Sequence, residues 1–275
     1  MYHSRRNNGM TVLARNPEHA LDFAVSDPIP SCLSNREIAT TTTRSAGGTA
    51  AAARIDCFLT VYEQLTWPRR MAEQCVRLGL NPIIVDNGST YEPLLAWLEN
   101  CPYEVIRVGA NAGCYGFWHR KHHHARTDLY VVSDSDLDLS AVPADAVDRL
   151  RRALDQNPDV AKAGLSLEII DLPDVYPFKQ DVVSWEQQFW TTRRGDCWRA
   201  DIGATFALYD PSRNALLDQN FYPAVRLDRP YTARHLPWYL DFNDLTDELR
   251  YYFSRCDDLA HWGSRTKRRL QESNP

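Results

Sequence analysis

The sequence predicts an α/β fold in which a mostly parallel sheet is flanked by helices. From residue 54 onward, short apolar runs rich in β-branched residues alternate with helical segments of about ten residues. Turn-forming residues such as Gly79 and the pair Asn87-Gly88 separate these runs. Each connection is long enough for a right-handed crossover, which places successive strands parallel to one another.

The first half of this pattern contains four strands and three helices. Thr66 is a candidate cap for the helix after the first strand, Pro68 suits its first turn, and Gly79 is placed to end it. The predicted strands lie at residues 55–61, 82–86, 103–108 and 128–133, and the next two helices lie at 91–99 and 118–125.

The regular alternation weakens after residue 140, and aromatic residues and prolines become frequent between 172 and 237. At the other end, residues 1–53 carry four consecutive threonines, Gly47-Gly48 and an alanine run. Such a segment buries too little surface to offset its chain entropy, so we predict a flexible leader. In the second half we predict helices at 145–154 and 241–255 and strands at 160–170 and 202–209.

The composition excludes several classes of protein. A formal net charge of -5 gives no general attraction to nucleic acid. No apolar run approaches the ~18 residues of a transmembrane segment, and the N-terminus lacks the apolar core of a secretory signal. The 7 cysteines are scattered without a CxxC pair, which favours reduced thiols over a disulfide or zinc framework. We therefore expect a cytoplasmic protein.

Polar motifs follow three of the predicted strands. The second strand ends in Val85-Asp86-Asn87-Gly88-Ser89, and the third is followed by the turn Asn111-Ala112-Gly113. The fourth ends in Asp134-Ser135-Asp136. Parallel strands end at the crevice where α/β folds hold ligands, and two carboxylates there repel each other unless a cation or hydrogen-bond donors lie between them.

These three motifs, in this order, resemble those of the family 2-type glycosyltransferases of the GT-A fold. The resemblance covers residues 55–139 well and the remainder loosely. It implies one GT-A-like domain over residues 54–270, with a nucleotide-binding half at 54–140 and an acceptor-binding half at 141–270. It also implies a nucleotide-diphosphate sugar as donor, an unidentified hydroxyl acceptor, inversion at the anomeric carbon, and a divalent metal, Mn²⁺ or Mg²⁺.

The resemblance also assigns roles to individual residues. It implies that Asp86 reads the base or the ribose, and that Asp134 contacts the ribose or a metal-bound water. Asp136 is implied as a metal ligand. A bound cation neutralises the charge that develops on a diphosphate leaving group. The remaining residues implied in the nucleotide pocket are Thr60 and Tyr62, which flank the base, and Asn111 and Gly113, which line it.

The catalytic base is open among Asp241, Asp244, Asp247 and Glu186, because the second half departs from the family pattern. Asp241 is favoured, since it follows an aromatic stretch that could exclude water, and Asp244 is the alternative. One of the acidic residues at 241–247 is expected to be only the N-cap of the helix, with Asp244 in that role if Asp241 is the base. Glu186 is a further candidate, or a solvated helix residue.

Arg234 and His235 form a polar pair in an aromatic segment. The resemblance implies that His235 is a further ligand of the metal and that Arg234 binds the diphosphate. The alternative for His235 is a loop histidine hydrogen-bonded to the backbone. The run His122-His123-His124 is interpreted as a solvated helix face, because consecutive residues on a helix point in different directions.

Two other functions remain open. A sugar-1-phosphate nucleotidyltransferase has a related sheet but opens with a glycine-rich loop, where this chain has Tyr62-Glu63-Gln64-Leu65. A GT-A domain that binds nucleotide or glycan without turnover is the non-enzymatic alternative. No GxGxxG or GxxxxGK[ST] pattern occurs, which weakens the dehydrogenase and P-loop classes.

Overall fold

A computed structural model of the chain describes residues 54–119, 121–256 and 261–273. The predicted leader at residues 1–53 lies outside these ranges. The strands are β1 (Ile55–Val61), β2 (Leu80–Asp86), β3 (Glu104–Arg107), β4 (Tyr130–Asp134), β5 (Leu137–Asp138), β6 (Lys162–Gly164), β7 (Ser166–Leu167), β8 (Arg193–Arg194), β9 (Cys197–Asp201), β10 (Ala207–Tyr209), β11 (Pro223–Leu227) and β12 (Thr232–His235).

Helices connect these strands and cover the sheet. Within the described ranges no helix is both long and apolar enough to cross a membrane. The α-helices are α1 (Thr66–Arg77), α2 (Glu92–Asn100), α3 (Gly116–His119), α4 (Ala146–Gln156), α5 (Lys179–Glu186), α6 (Asn214–Gln219), α7 (Asp247–Arg255) and α8 (His261–Ser273). Short 3₁₀ helices span His122–Ala125, Gln187–Trp190, Pro211–Arg213 and Leu236–Tyr239.

The main sheet has nine strands in the order β3-β2-β1-β4-β10-β6-β11-β9-β8. The first four strands pair in parallel, as their helical crossovers require. Strand β10 runs antiparallel between β4 and β6, and β6 pairs in parallel with β11. The predicted α/β fold, with a mostly parallel sheet flanked by helices, is confirmed.

The sheet is buried on both faces. In β1, Cys57, Leu59 and Val61 belong to one core cluster, together with apolar residues of α1 and α4. The intervening Phe58 belongs to a second cluster, which contains Trp118 of α3 and residues of α6. Successive side chains of a strand point to opposite faces, so a strand covered on both sides reads as a continuous apolar run.

A second, three-stranded sheet has the order β5-β12-β7 and joins the segment after β4 to the C-terminal half. Glu168, which follows β7, accepts hydrogen bonds from the guanidinium of Arg229 at 2.7 and 3.0 Å and from the N–H groups of Ile169 and Ile170. Burial alone would raise the pKa of Glu168, but the hydrogen bonds from Arg229 and the backbone outweigh it and lower the pKa from 4.5 to about 2.

Four predicted elements differ from the structure. The helix predicted at 241–255 begins only at Asp247, as α7. The helix predicted at 118–125 is divided, because Lys121 has a left-handed backbone with φ of 55°. The strand predicted at 160–170 is two short strands, β6 and β7. The strand predicted at 202–209 begins only at Ala207, and Ala204 lies outside it, with its carbonyl accepting from the N–H of Asp134.

Candidate active site

The carboxyl ends of four neighbouring strands meet at one edge of the main sheet. Asp86, the last residue of β2, pairs in register with Val61 of β1 and with Arg107 of β3. Asp134, the last residue of β4, pairs with Thr60 of β1. The expectation that Asp86 and Asp134 share an edge of the sheet is therefore confirmed.

The Asp134-Ser135-Asp136 segment is fixed to this edge by its neighbours. The N–H of Asp134 donates to the carbonyl of Ala204 at 2.9 Å, and the Ser135 hydroxyl donates to the carbonyl of Thr60 at 2.7 Å. Burial, and then the charge of Asp136, raise the pKa of the Asp134 carboxyl well above its ordinary value. The two carboxylates thus face the repulsion that a cation between or beside them would relieve.

The structure brings His235 to Asp136, although 99 positions separate them in the chain. Strand β12 pairs with β5, so His235 lies opposite Leu137, and the N–H of Leu236 donates to the carbonyl of Asp136 at 2.8 Å. His235 Nε2 lies 3.3 Å from Asp136 Oδ2, and its ring packs against Trp238 with centroids 4.5 Å apart. The second oxygen of Asp136, Oδ1, is buried without a hydrogen-bond partner among the described residues.

Asp134 stands beside this pair and is not part of it. Among the described residues, the ligand atoms of Asp134, Asp136 and His235 do not all lie within 4.8 Å of one another. The close pair that the structure shows is that of Asp136 and His235, at 3.3 Å.

The turn after β2 and the turn after β3 pack as one unit. Asn87 donates from Nδ2 to Asn111 Oδ1 at 2.8 Å and to the carbonyl of Gly113 at 3.2 Å. Gly88 has φ of 78°, and a Cβ there would lie 2.7 Å from the backbone of Ala110. Glycine is thus required by both the backbone conformation and the close approach. Asn111 and Gly113 consequently lie beside the end of β2, and Asn111 helps to hold the turn.

Asp86 is buried at the base of this unit. Its Oδ1 accepts from the N–H of Ser89 at 3.0 Å, and its Oδ2 accepts from the guanidinium of Arg107 at 3.2 Å. The guanidinium of Arg107 is itself partly exposed at the edge of the sheet. Sequence reasoning did not single out Arg107, whose signal was its position as the last residue of a strand in register with Asp86.

Glu63 is a second residue that sequence reasoning missed. It is 1% exposed and has a left-handed backbone with φ of 52°. Its Oε2 accepts from the N–H groups of Thr90 and Tyr91, both at 2.8 Å, and its Oε1 accepts from the Thr90 hydroxyl at 2.8 Å. Glu63 therefore satisfies the N-terminus of α2 and ties the loop that carries Tyr62 to the loop after β2.

Helix α7 packs over the same loops. Glu248 accepts from the N–H groups of Leu65 and Thr66 at 2.6 and 2.8 Å, which caps α1 from another helix. The prediction that Thr66 caps α1 is wrong, since Thr66 is its first helical residue and its hydroxyl pairs with Glu248. One turn along, the hydroxyl of Tyr251 lies 2.9 Å from that of Thr90.

Tyr252 of α7 is half-buried and lies within electrostatic range of Asp134 and Asp136. Its pKa is raised by burial first, then by the charges of Cys256, Asp136 and Asp134. No sequence motif marks Tyr252, because only the packing of α7 against the sheet edge brings it within electrostatic range of the two aspartates.

The candidate bases occupy different environments. Asp241 forms a turn in which its Oδ1 accepts from the N–H and the side-chain amide of Asn243 at 2.9 and 3.0 Å. Asp244 is exposed, and Glu186 is buried in an ion pair with Arg226 at 2.9 Å. Glu186 is therefore not a solvated helix residue. The expectation that an acidic residue at 241–247 caps α7 is wrong, because the N-cap is Thr246, whose hydroxyl accepts from Leu249.

Arg234 does not point at Asp136 in this structure. Its guanidinium pairs with Asp171 at 2.6 and 2.7 Å, and Asp171 also accepts from the hydroxyl of Tyr239 at 2.6 Å. Arg234 lies opposite Asp138 in the small sheet. Asp138, the last residue of β5, accepts from Ser140, Gln74 and Arg70.

Comparisons with known proteins give similarity at the level of the fold. No family model and no curated protein matches the sequence. Among solved structures, TarS of S. aureus is 10% identical with a TM-score of 0.41, over 81% of this chain and 44% of that one. The glucosyl-3-phosphoglycerate synthase of Mycobacterium tuberculosis, solved with phosphoglyceric acid, is 14% identical with a TM-score of 0.36, over 58% of each chain.

A third match, 4-diphosphocytidyl-2C-methyl-D-erythritol synthase, is 11% identical with a TM-score of 0.28, over 73% of this chain and 84% of that one. The chain thus spans about half the length of the first two structures. Because every TM-score is below 0.5, the assignment of site residues rests on the geometry of this chain alone.

Proposed function

We propose that this protein is a metal-dependent glycosyltransferase that moves a sugar from a nucleotide-diphosphate sugar to an acceptor hydroxyl with inversion. The observation that carries the proposal is the pairing of Asp136 with His235 at the sheet edge where Asp86 and Asp134 also lie. Carboxylates and an imidazole at the mouth of a parallel sheet form a polar site in the place where α/β folds hold nucleotides.

The residues present fit a divalent cation. The separation of 3.3 Å between Asp136 Oδ2 and His235 Nε2 is close to that of two ligands on one ion, and the buried Oδ1 of Asp136 lacks a partner among the described residues. A mixed carboxylate and imidazole set suits Mn²⁺ better than Mg²⁺, which prefers oxygen alone. When bound, the cation would supply positive charge against the diphosphate leaving group.

The nucleotide would lie over the ends of β1 and β2. Asp86 is held in place by Ser89 and Arg107, so its carboxylate is pre-oriented toward a base or ribose rather than free to rotate. On one side of it lie Thr60, near the end of β1, and Tyr62, which directly follows β1. Asn111 and Gly113 line the other side through the turn that Asn87 fixes. Together these residues would bind and orient the donor.

The acceptor proton requires a base, and we propose Asp241. Its Oδ1 is occupied by Asn243, whereas its Oδ2 accepts no hydrogen bond from the described residues. The acceptor oxygen would give its proton to Oδ2 as it attacks the anomeric carbon and the bond to the diphosphate breaks. Asp244 is the alternative. Glu186 is less suited, because its charge is already paired with Arg226 in a buried site.

We propose that Arg234 leaves its ion pair with Asp171 and contacts the diphosphate when the donor binds. Its ion pair with Asp171 is partly exposed, and exposed pairs contribute little net free energy. A bound diphosphate, which accepts bidentate hydrogen bonds, could therefore compete with Asp171 for the guanidinium.

The metal assignment is tested by Asp136→Asn, with Asp138→Asn as the matched control two positions along the chain. The purified protein is assayed against a panel of nucleotide sugars for Mn²⁺-stimulated transfer and hydrolysis. Asp136→Asn should abolish the stimulation and weaken Mn²⁺-dependent nucleotide binding measured by calorimetry, while Asp138→Asn should retain both. Unchanged metal dependence in a folded Asp136→Asn protein would contradict the assignment.

The base assignment is tested separately by Asp241→Asn and Asp244→Asn. Loss of a general base should lower kcat by roughly 10²–10⁴-fold without changing donor affinity, and only Asp241→Asn is expected to do so. If Asp244→Asn alone slows transfer, Asp244 is the base. Donor binding without transfer or hydrolysis of any donor in the unmodified chain would favour the non-catalytic alternative.

A further inference from the structure

Two histidines and an aspartate converge at the edge of the sheet opposite the candidate active site. The 3₁₀ helix that carries His123 and His124 directly precedes β4, and α6, which carries Asp218, follows β10. Strands β4 and β10 are antiparallel neighbours in which Tyr130 pairs with Tyr209. Asp134 lies at the other end of β4, about 13 Å along the strand at ~3.3 Å per residue.

The backbone brings the two imidazoles to one carboxylate. Their ring centroids lie 4.1 Å apart with an angle of 44° between the planes. The interpretation of His122-His123-His124 as a solvated helix face is wrong, because the left-handed Lys121 breaks the helix and His123 is buried. The different directions expected of consecutive residues apply to a continuous α-helix, which this segment does not form.

The spacing of the three side chains suits a shared ion better than hydrogen bonds. Asp218 Oδ1 lies 3.4 Å from His123 Nε2 and 3.6 Å from His124 Nε2, and the three atoms all lie within 4.8 Å of one another. Such N···O distances exceed the usual 2.7–3.2 Å of a hydrogen bond. Two ligands on a tetrahedral Zn²⁺, each at ~2.0–2.1 Å, are separated by about 3.3–3.4 Å.

We infer that His123, His124 and Asp218 form a second cation site, for Zn²⁺ or a similar borderline divalent ion. Two imidazole nitrogens and a carboxylate oxygen are a typical three-ligand set, and water would take the fourth position. The side chains of His124 and Asp218 are about half exposed, so an ion can enter from solvent. The site uses none of the residues in the proposed glycosyltransferase function and does not rest on it.

A cation in this site would cross-link α6 to the 3₁₀ helix that carries His123 and His124. The side-chain amide of Asn214 in α6 reaches the carbonyl of His123 at 3.4 Å, a long hydrogen bond. An ion held from both elements would fix the entry to β4 against the exit from β10. Because the ion binds the folded chain, its binding free energy adds to the stability of the fold.

The inference is tested on the full chain carrying Asp136→Asn, which removes the cation site proposed at the other edge. The chelator-treated protein is titrated with Zn²⁺ by calorimetry and with Co²⁺ by visible absorption. About one equivalent should bind, and zinc should raise the melting temperature. Adding Asp218→Asn or His124→Gln should weaken binding at least tenfold and remove the thermal shift, whereas His122→Gln, in the same run, should change neither.

His124→Gln guards against a trivial loss of folding, because the His124 side chain is about half exposed. Melting temperatures without metal should agree among the variants. The inference is overturned if the Asp136→Asn chain binds no zinc, or if the Asp218 and His124 variants bind it as tightly as the His122 variant.

Discussion

Glu63 offers a direct test of how the loops around the candidate site are held. Its carboxylate accepts three hydrogen bonds, two of them from backbone N–H groups at the start of α2. Glu63→Ala removes all three and leaves two donors in a place where the original side chain was 1% exposed. At ~1–3 kcal/mol for each buried donor left unsatisfied, we expect a loss of about 4 kcal/mol in the free energy of unfolding.

Glu63→Gln separates the charge from the shape. The amide oxygen that this substitution introduces can still accept from the N–H groups of Thr90 and Tyr91, and the new NH₂ group can donate to the Thr90 hydroxyl. What is lost is the charge assistance of two hydrogen bonds, about 1 kcal/mol each, and the favourable position of a negative charge at a helix N-terminus. We therefore expect a loss of about 2 kcal/mol, half that of Glu63→Ala.

The assay is urea denaturation at pH 7, combined with hydrogen exchange at the amides of Thr90 and Tyr91. Glu73→Gln on the exposed face of α1 is the matched control and should stay within ~0.5 kcal/mol of the unmodified chain. The two amides should exchange faster in both Glu63 variants. Equal stability of Glu63→Gln and Glu73→Gln, or unchanged exchange at the two amides, would refute the reasoning.

Three further substitutions follow from contacts described above. Because hydrogen bonds depress the pKa of Glu168 to about 2, its contribution is complete above its unfolded pKa of about 4.5 and is lost as the pH falls toward 2. Glu168→Gln should thus destabilise the fold more at pH 7 than at pH 3 in urea titrations, and an equal loss at both pH values would contradict this. Glu186→Gln should lower the free energy of unfolding by ~3–5 kcal/mol, because it leaves the buried charge of Arg226 without its ion-pair partner. If the substitution slowed sugar transfer and left the stability unchanged, Glu186 would instead be the base. Gly88→Ala should lower the melting temperature more than Gly79→Ala. Both glycines have positive φ, but of the two only Gly88 is placed so that an added Cβ would lie 2.7 Å from backbone atoms. Equal decreases in melting temperature would argue against this close contact.

The first half of the fold was predictable because its signals are local. The runs that became β1, β2, β3 and β4 are apolar over their buried lengths and end in turn residues, so strand ends could be read within about two positions. Predictions from local sequence were wrong where a residue distant in the chain makes the contact that a neighbouring residue was expected to make. Thr66 is a good capping residue by type, yet α1 is capped by Glu248 from 182 positions away.

The sequence by itself determined that Asp86 and Asp134 would meet at one edge of a parallel sheet, since a strand's direction and end are set by its own residues and its crossover. Only the tertiary structure decided which side chains face them. His235 reaches Asp136 through the pairing of β12 with β5, and α7 brings Tyr252 within electrostatic range of both aspartates. In the same way Asp218 reaches His123 and His124 through neighbouring strand ends. Contacts between segments distant in the chain depend on strand register and helix packing, which no local pattern of residues encodes.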